Sequence, residues 1–196
     1  MDERRRTGEV HRQTGETDVR VWLDLDAGGE AEVSTGVPFL DHMLTLLARH
    51  GRFGLLVQAG GDIEVDDHHT TEDVGIVLGQ ALRAALGDKR GIARYGWAYA
   101  PMDETLVRTA LDLSGRPYCV YDVVMPVPKV GTFDTELVAH FFQSLAYAGL
   151  MTLHIDCIRG ENAHHLIEAA FKSFALALHA ATRIVHDDVP STKGTL

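Results

Sequence analysis

The stretch Asp66-Asp67-His68-His69-Thr70-Thr71-Glu72-Asp73 has a His-His-x-x-Glu core that returns in the second half of the chain as His164-His165-Leu166-Ile167-Glu168. On a helix, His68 and Glu72 share a face with Cβ atoms about 5–6 Å apart, a spacing that suits two donors on one metal ion. His69 is turned about 100° from His68, so it serves a different ion. His164 and Glu168 pair in the same way, and His165 is the stray residue of that copy. The simplest closed arrangement gives each ion a histidine and a glutamate from one copy and the stray histidine from the other. Asp66 and Asn162 each stand two residues ahead of their histidine pair, and both residue types are preferred helix N-caps. A helix N-terminus also favours neutral imidazole, the form that binds metal. One copy alone would read as a capped surface helix. Two copies with matching caps read as a duplicated metal site, because a solvated surface has no reason to repeat ligand spacing.

The flanking segments repeat as well. Val19 to Asp26 and Ala31 to Val37 alternate apolar and polar residues on either side of Gly28-Gly29, which predicts an opening strand hairpin with Glu16 just ahead of it. Pro38 to His50 reads as a helix with Phe39, Met43, Leu46 and Leu47 as its apolar stripe and Gly51 as the left-handed residue that ends it. A strand within 53–66, turning at Gly60-Gly61-Asp62, leads to the first ligand helix, about 67–86. In the second half, two strands flank Ser114-Gly115-Arg116-Pro117. A helix over about 134–148 then ends at Gly149, followed by a strand over 151–158 and a helix over 163–182. The repeating unit is a β-rich segment, a helix with one histidine, a strand, and a helix with His-His-x-x-Glu. Its two copies are residues 1–92 and 93–196. His42 and His140 stand equally far ahead of Gly51 and Gly149, so the repeat makes them equivalent. Each set then contains three histidines and one glutamate.

Composition narrows the class. The 196 residues, 45% hydrophobic and 23% charged, fit one sizeable core or two fused halves. With 18 basic against 28 acidic residues, the formal charge of −10 argues against a broad nucleic-acid or anionic-membrane surface. Cys119 and Cys157 form no metal or redox motif and read as thiols in a reducing compartment. Arg4-Arg5-Arg6 has no apolar run behind it, so neither a signal peptide nor a transit peptide is expected, and the cytoplasm is the expected location.

A nitrogen and carboxylate donor set without thiolate is compatible with Mn, Fe, Co, Ni or Zn. Four protein ligands close a tetrahedral zinc site but leave two positions open on an octahedral ion, so catalysis favours a six-coordinate metal such as Mn²⁺. Anion-binding candidates are Arg94 and Arg116 beside turn residues, Lys172 one turn beyond Glu168, and Ser191 and Lys193 in the tail.

Gly36-Val-Pro-Phe-Leu-Asp-His-Met43, Asp66 to Gly75, Asp112-Leu-Ser-Gly-Arg-Pro-Tyr118, Glu161 to Glu168 and Ser191-Thr-Lys-Gly194 together resemble imidazoleglycerol-phosphate dehydratase of histidine biosynthesis, in its monofunctional form. The resemblance implies an α+β fold of two tandem repeats, each a four-stranded sheet with two helices on one face (ribosomal protein S5 domain 2-like), the helices lying between the sheets. It implies a homo-oligomer of twenty-four subunits with active sites between subunits, and two Mn²⁺ per active site. One ion falls on His42, His69, His164 and Glu168, the other on His68, Glu72, His140 and His165. The implied reaction dehydrates D-erythro-1-(imidazol-4-yl)glycerol 3-phosphate to imidazole-acetol phosphate and water through an imidazolate held by both metals. Glu16 matches the family's substrate-binding carboxylate and is the candidate base. Arg94, Arg116, Lys172, Ser191 and Lys193, with His50, make up the implied phosphate and substrate pocket. Two readings compete with this one. A dinuclear metallohydrolase or oxygenase would carry more carboxylates, and a non-catalytic metal-binding assembly protein would not need the basic cluster.

Overall fold

In the computed structural model, residues 5–191 are described. The first repeat runs β1 (Thr7–Gln13), β2 (Thr17–Asp24), β3 (Ala31–Ser34), α1 (Pro38–Gly51), β4 (Gly54–Gly61) and α2 (His68–Leu86). The second runs β5 (Tyr95–Met102), β6 (Thr105–Asp112), β7 (Tyr118–Asp122), a short ribbon of β8 (Lys129–Val130) and β9 (Phe133–Asp134), α3 (Leu137–Ala148), β10 (Thr152–Arg159) and α4 (Ala163–Thr182). The sheets have matching orders, β1-β2-β4-β3 and β5-β6-β10-β7. In each the last edge strand is parallel to its neighbour, because a helix crosses over between them. Among the described residues, the β8–β9 ribbon has no counterpart in the first repeat.

Each sheet buries one face, so its strands alternate. In β2, Val19, Val21 and Leu23 point inward, while Asp18 and Arg20 face solvent. Helix α2 lies on β1 and β2, α4 lies on β5 and β6, α1 packs on α4, and α3 packs on α2, which places all four helices between the sheets. The centre of this layer is Phe141, Phe142, Phe171 and Phe174, with Phe142 and Phe171 ring centres 4.8 Å apart. Burying each of these rings contributes roughly 2–3 kcal/mol. The repeat extends to backbone contacts: a Cβ on Gly8 would collide with the Ala81 carbonyl of α2, and one on Gly96 with the Ala177 carbonyl of α4. Among the described residues, no helix is long and apolar enough to cross a membrane.

Three local expectations are corrected. The opening hairpin is β1 with β2, not β2 with β3, because β2 is already paired on its other side with β4. Strand β1 carries a single apolar side chain, Val10, and meets the core through Gly8, so hydrophobic alternation does not mark it. Three strands rather than two occupy the start of the second repeat. The left-handed residues that end α1 and α3 are Arg52 (φ 57°) and Leu150 (φ 52°), each one position after the expected glycine. Gly51 is required for space instead, since a Cβ there would run into the ring of Phe53.

Candidate metal centre and substrate pocket

Both ligand helices begin with an Asx turn. The Asn162 side chain accepts from the backbone N–H groups of His164 (2.9 Å) and His165 (3.2 Å), as an N-cap does. Asp66 accepts from His68 N–H at 2.8 Å, although α2 starts one residue later than such a cap implies. The turns fix the first residues of each helix and so aim both histidine pairs.

In α4 the expected one-turn spacing brings His164 Nε2 to 3.2 Å from Glu168 Oε2. The packing of α1 on α4 places His42 Nε2 at 3.4 Å from the same oxygen. Ligand atoms of His42, His164 and Glu168 all lie within 4.8 Å of one another, close enough for all three to reach one ion. Glu168 is 7% exposed, and Lys172 Nζ stands 2.6 Å from its other oxygen. Burial alone would raise the pKa of this carboxyl, but Lys172, His164 and His42 outweigh it and hold the pKa below the ordinary value. His50, also on α1, is pushed down by burial and by the Lys172 charge.

The equivalent group at the other end of the pseudo-twofold is looser. The rings of His68 (α2) and His140 (α3) are 4.8 Å apart, and Glu72 lies one turn along from His68, half-buried. The two stray histidines join neither group within this chain and are held by carboxylates instead. His69 Nδ1 lies 3.0 Å from Asp62 Oδ2, with Glu16 Oε2 at 3.9 Å, and Asp62 raises the pKa of His69. His165 Nδ1 lies 2.9 Å from Glu104 Oε2. The hydrogen bonds from His165 and then Thr105 lower the Glu104 pKa to about 2. Sequence reasoning missed Asp62 and Glu104. Asp62 sits in the turn after β4 and Glu104 in the tight β5–β6 turn, and neither belongs to a ligand motif.

Arg94, at φ 70°, is clamped by Asp112 through Nε (2.7 Å) and Nη2 (3.0 Å), and its Nη1 donates to the Pro190 carbonyl at 2.9 Å. It therefore anchors the start of the tail as well as offering charge. Arg116 is exposed, with its guanidinium 4.0 Å from Asp112. Ser191 follows Pro190, and Lys193 lies outside the described residues. Arg94 N–H bonds the Ala181 carbonyl at the C-terminal end of α4, about 20 Å along the helix from Glu168 at about 1.5 Å per residue. Within one chain, the His42–His164–Glu168 group and the arginine pair thus stand at opposite ends of α4, with Lys172 beside the histidine end.

A family model described as imidazoleglycerol-phosphate dehydratase matches residues 35–178. An imidazoleglycerol-phosphate dehydratase of Halorhodospira halophila is 57% identical over 195 residues, 98% of this chain and 99% of the relative. One from Azorhizobium caulinodans is 56% identical over 97% of this chain and 98% of its own length. The crystal structure of the enzyme from Staphylococcus aureus superimposes with a TM-score of 0.83 at 44% identity, covering 91% of this chain and 99% of that one. That of Pyrococcus furiosus does so with a TM-score of 0.84 at 40% identity, covering 95% and 100%.

Proposed function

The chain belongs to the imidazoleglycerol-phosphate dehydratase family, a hydro-lyase of histidine biosynthesis, and from that premise we propose that it works in the cytoplasm with two Mn²⁺ ions per active site, in sites shared between subunits of a 24-mer. The convergence of His42, His164 and Glu168 carries the metal reading. A donor set of imidazoles and one carboxylate with no thiolate fits Mn²⁺. His69 would supply the fourth ligand of that ion, and His68, Glu72, His140 and His165 would hold the other. When bound, the two ions supply Lewis acidity toward the substrate's imidazole ring, the electron sink that the carbon-bound proton needs in order to leave.

The chain's own residues divide the remaining work. Glu16, in the β1–β2 turn within 3.9 Å of His69 Nδ1, takes the proton from the carbon next to the one bearing the departing hydroxyl. Loss of that hydroxyl gives an enol, which tautomerises to the ketone of imidazole-acetol phosphate. Arg94, Arg116, Lys172, Ser191 and Lys193, with His50, hold the substrate and its phosphate. Asp112 fixes the guanidinium plane of Arg94. Sharing between subunits is supported by the separation along α4, since an imidazole with a three-carbon phosphate chain is shorter than the gap from Glu168 to Arg94.

The test is turnover of imidazoleglycerol phosphate by metal-stripped protein, with and without added Mn²⁺, alongside its mass in solution. Dehydration restored together with a rise in mass is expected. Assembly without product would overturn the dehydration mechanism and leave a non-catalytic metal-binding assembly. Turnover by the fully stripped protein would overturn the role of the metal.

A further inference from the structure

The two stray histidines differ from the other ligands in one respect: a carboxylate occupies Nδ1 in each, at 2.9 Å in His165 and 3.0 Å in His69. An ionised carboxylate only accepts hydrogen bonds, so the neutral ring facing it must carry its proton on Nδ1 and leave the Nε2 lone pair free. Among the described residues His165 Nε2 makes no hydrogen bond, and the exposed Asp103 carboxylate stands 4.0 Å from it. Glu104 cannot exchange its two oxygens freely. Its Oε1 accepts from Thr105 Oγ1 (2.9 Å) and from the backbone N–H groups of Asn162 (3.1 Å) and Glu161 (3.4 Å), leaving Oε2 toward His165. The same carboxylate therefore ties the β5–β6 turn to the start of α4 and sets the ring of the second histidine on that helix.

We infer that Glu104 is a positioning residue that locks His165 in its Nδ1-protonated tautomer and so presents Nε2 outward as a metal donor, with Asp62 doing the same for His69. The inference rests on the metal reading above, and a carboxylate behind a ligating imidazole also makes the ring more basic toward the ion.

The geometry makes the two carboxylates respond differently to the same chemical change. In Glu104→Gln the three donors facing Oε1 require the amide oxygen there, so the amide NH₂ must face His165 Nδ1. That nitrogen becomes an acceptor, the proton moves to Nε2, and the metal donor is lost. Among the described residues the Asp62 side chain accepts a hydrogen bond from His69 alone, so in Asp62→Asn the amide can turn its oxygen to Nδ1 and keep the tautomer. Loss of charge is the same in both variants, which separates the tautomer from simple electrostatics.

The experiment measures three quantities on parent, E104Q and D62N: Mn²⁺ affinity by titration, ¹⁵N shifts of the His165 and His69 rings in the metal-free protein, and the metal-free melting temperature. The two ring signals are assigned by their loss in His165→Asn and His69→Asn. Expected are an inverted His165 tautomer and a roughly 10–100-fold loss of affinity at one class of site in E104Q. D62N should stay close to the parent in both respects. Equal losses in the two variants, no loss in either, or a lower melting temperature with an unchanged His165 tautomer would overturn the inference. A parent that binds no Mn²⁺ would overturn the metal reading instead, and the ring shifts of the metal-free proteins would still decide the tautomer.

Discussion

Helices α2 and α3, which carry His68 and His140, approach closely because α2 has Gly75 and Gly79 where they meet. In Gly79→Ala the new methyl would stand 2.6 Å from the Leu145 carbonyl oxygen, 2.8 Å from Gly149 N and 2.9 Å from Ala148 Cβ. Two of these atoms are backbone and cannot swing aside. Ordinary contact begins at 3.4 Å, so α3 would have to retreat by roughly 0.8 Å from a closely packed layer. Overpacking against backbone falls at the upper end of its usual range, about 3 kcal/mol. The better helix propensity of alanine offsets about 1 kcal/mol, which leaves a net loss of about 2 kcal/mol. For a chain of this size that lowers the melting temperature by about 4–8 °C. The assay is thermal unfolding of the metal-free protein followed by far-UV circular dichroism, with Gly60→Ala as the control. A Cβ at Gly60 meets nothing within 4 Å, so its effect should stay within about 0.5 kcal/mol. A Gly79→Ala protein that melts at or above the parent would refute the packing argument, and with it the idea that these glycines set the His68–His140 spacing.

Two further outcomes test the chemistry and electrostatics of the site. Glu16→Gln should lower turnover by about 10²-fold or more while the bound metal, measured by elemental analysis, stays unchanged; near-normal turnover would remove Glu16 as the base. Glu168 has a folded-state pKa below its ordinary value, so its contribution to stability is fully present above the unfolded pKa of about 4.3 and is lost as the pH falls through the folded value. Acid unfolding of metal-free Glu168→Gln should therefore be less steep than that of the parent below about pH 4.3, and superimposable profiles would contradict the assignment.

The helices and the face shared by each His–Glu pair were legible because the information is local. A His-x-x-x-Glu spacing becomes a shared face as soon as the segment is helical, and the repeat then made His42 equivalent to His140. The grouping of His42 with His164 and Glu168, which the structure brings within 4.8 Å of one another, came from the family resemblance and not from the spacing. What was not legible is set by contacts distant in the chain. Strand β1 is a polar edge strand recognised only by its pairing with β2 and the fit of Gly8 beneath α2. The left-handed turns after α1 and α3 fall on Arg52 and Leu150, while Gly51 and Gly149 stand where a Cβ would meet the Phe53 ring and the Leu145 carbonyl. Glu104 meets His165 only after β5, β6 and α4 have assembled. Arg94 reads in sequence as a free cation beside a turn, yet Asp112 and the Pro190 carbonyl hold it.

The separation along α4 also has a genetic meaning. If each working site takes its metal end from one subunit and its phosphate end from another, a lesion at Glu168 and a lesion at Arg116 damage different halves of the site. Two such alleles, each inactive alone, would complement one another when both chains are made in one cell, because a mixed assembly contains junctions at which both contributing halves are intact. Two lesions at the same end would never do so.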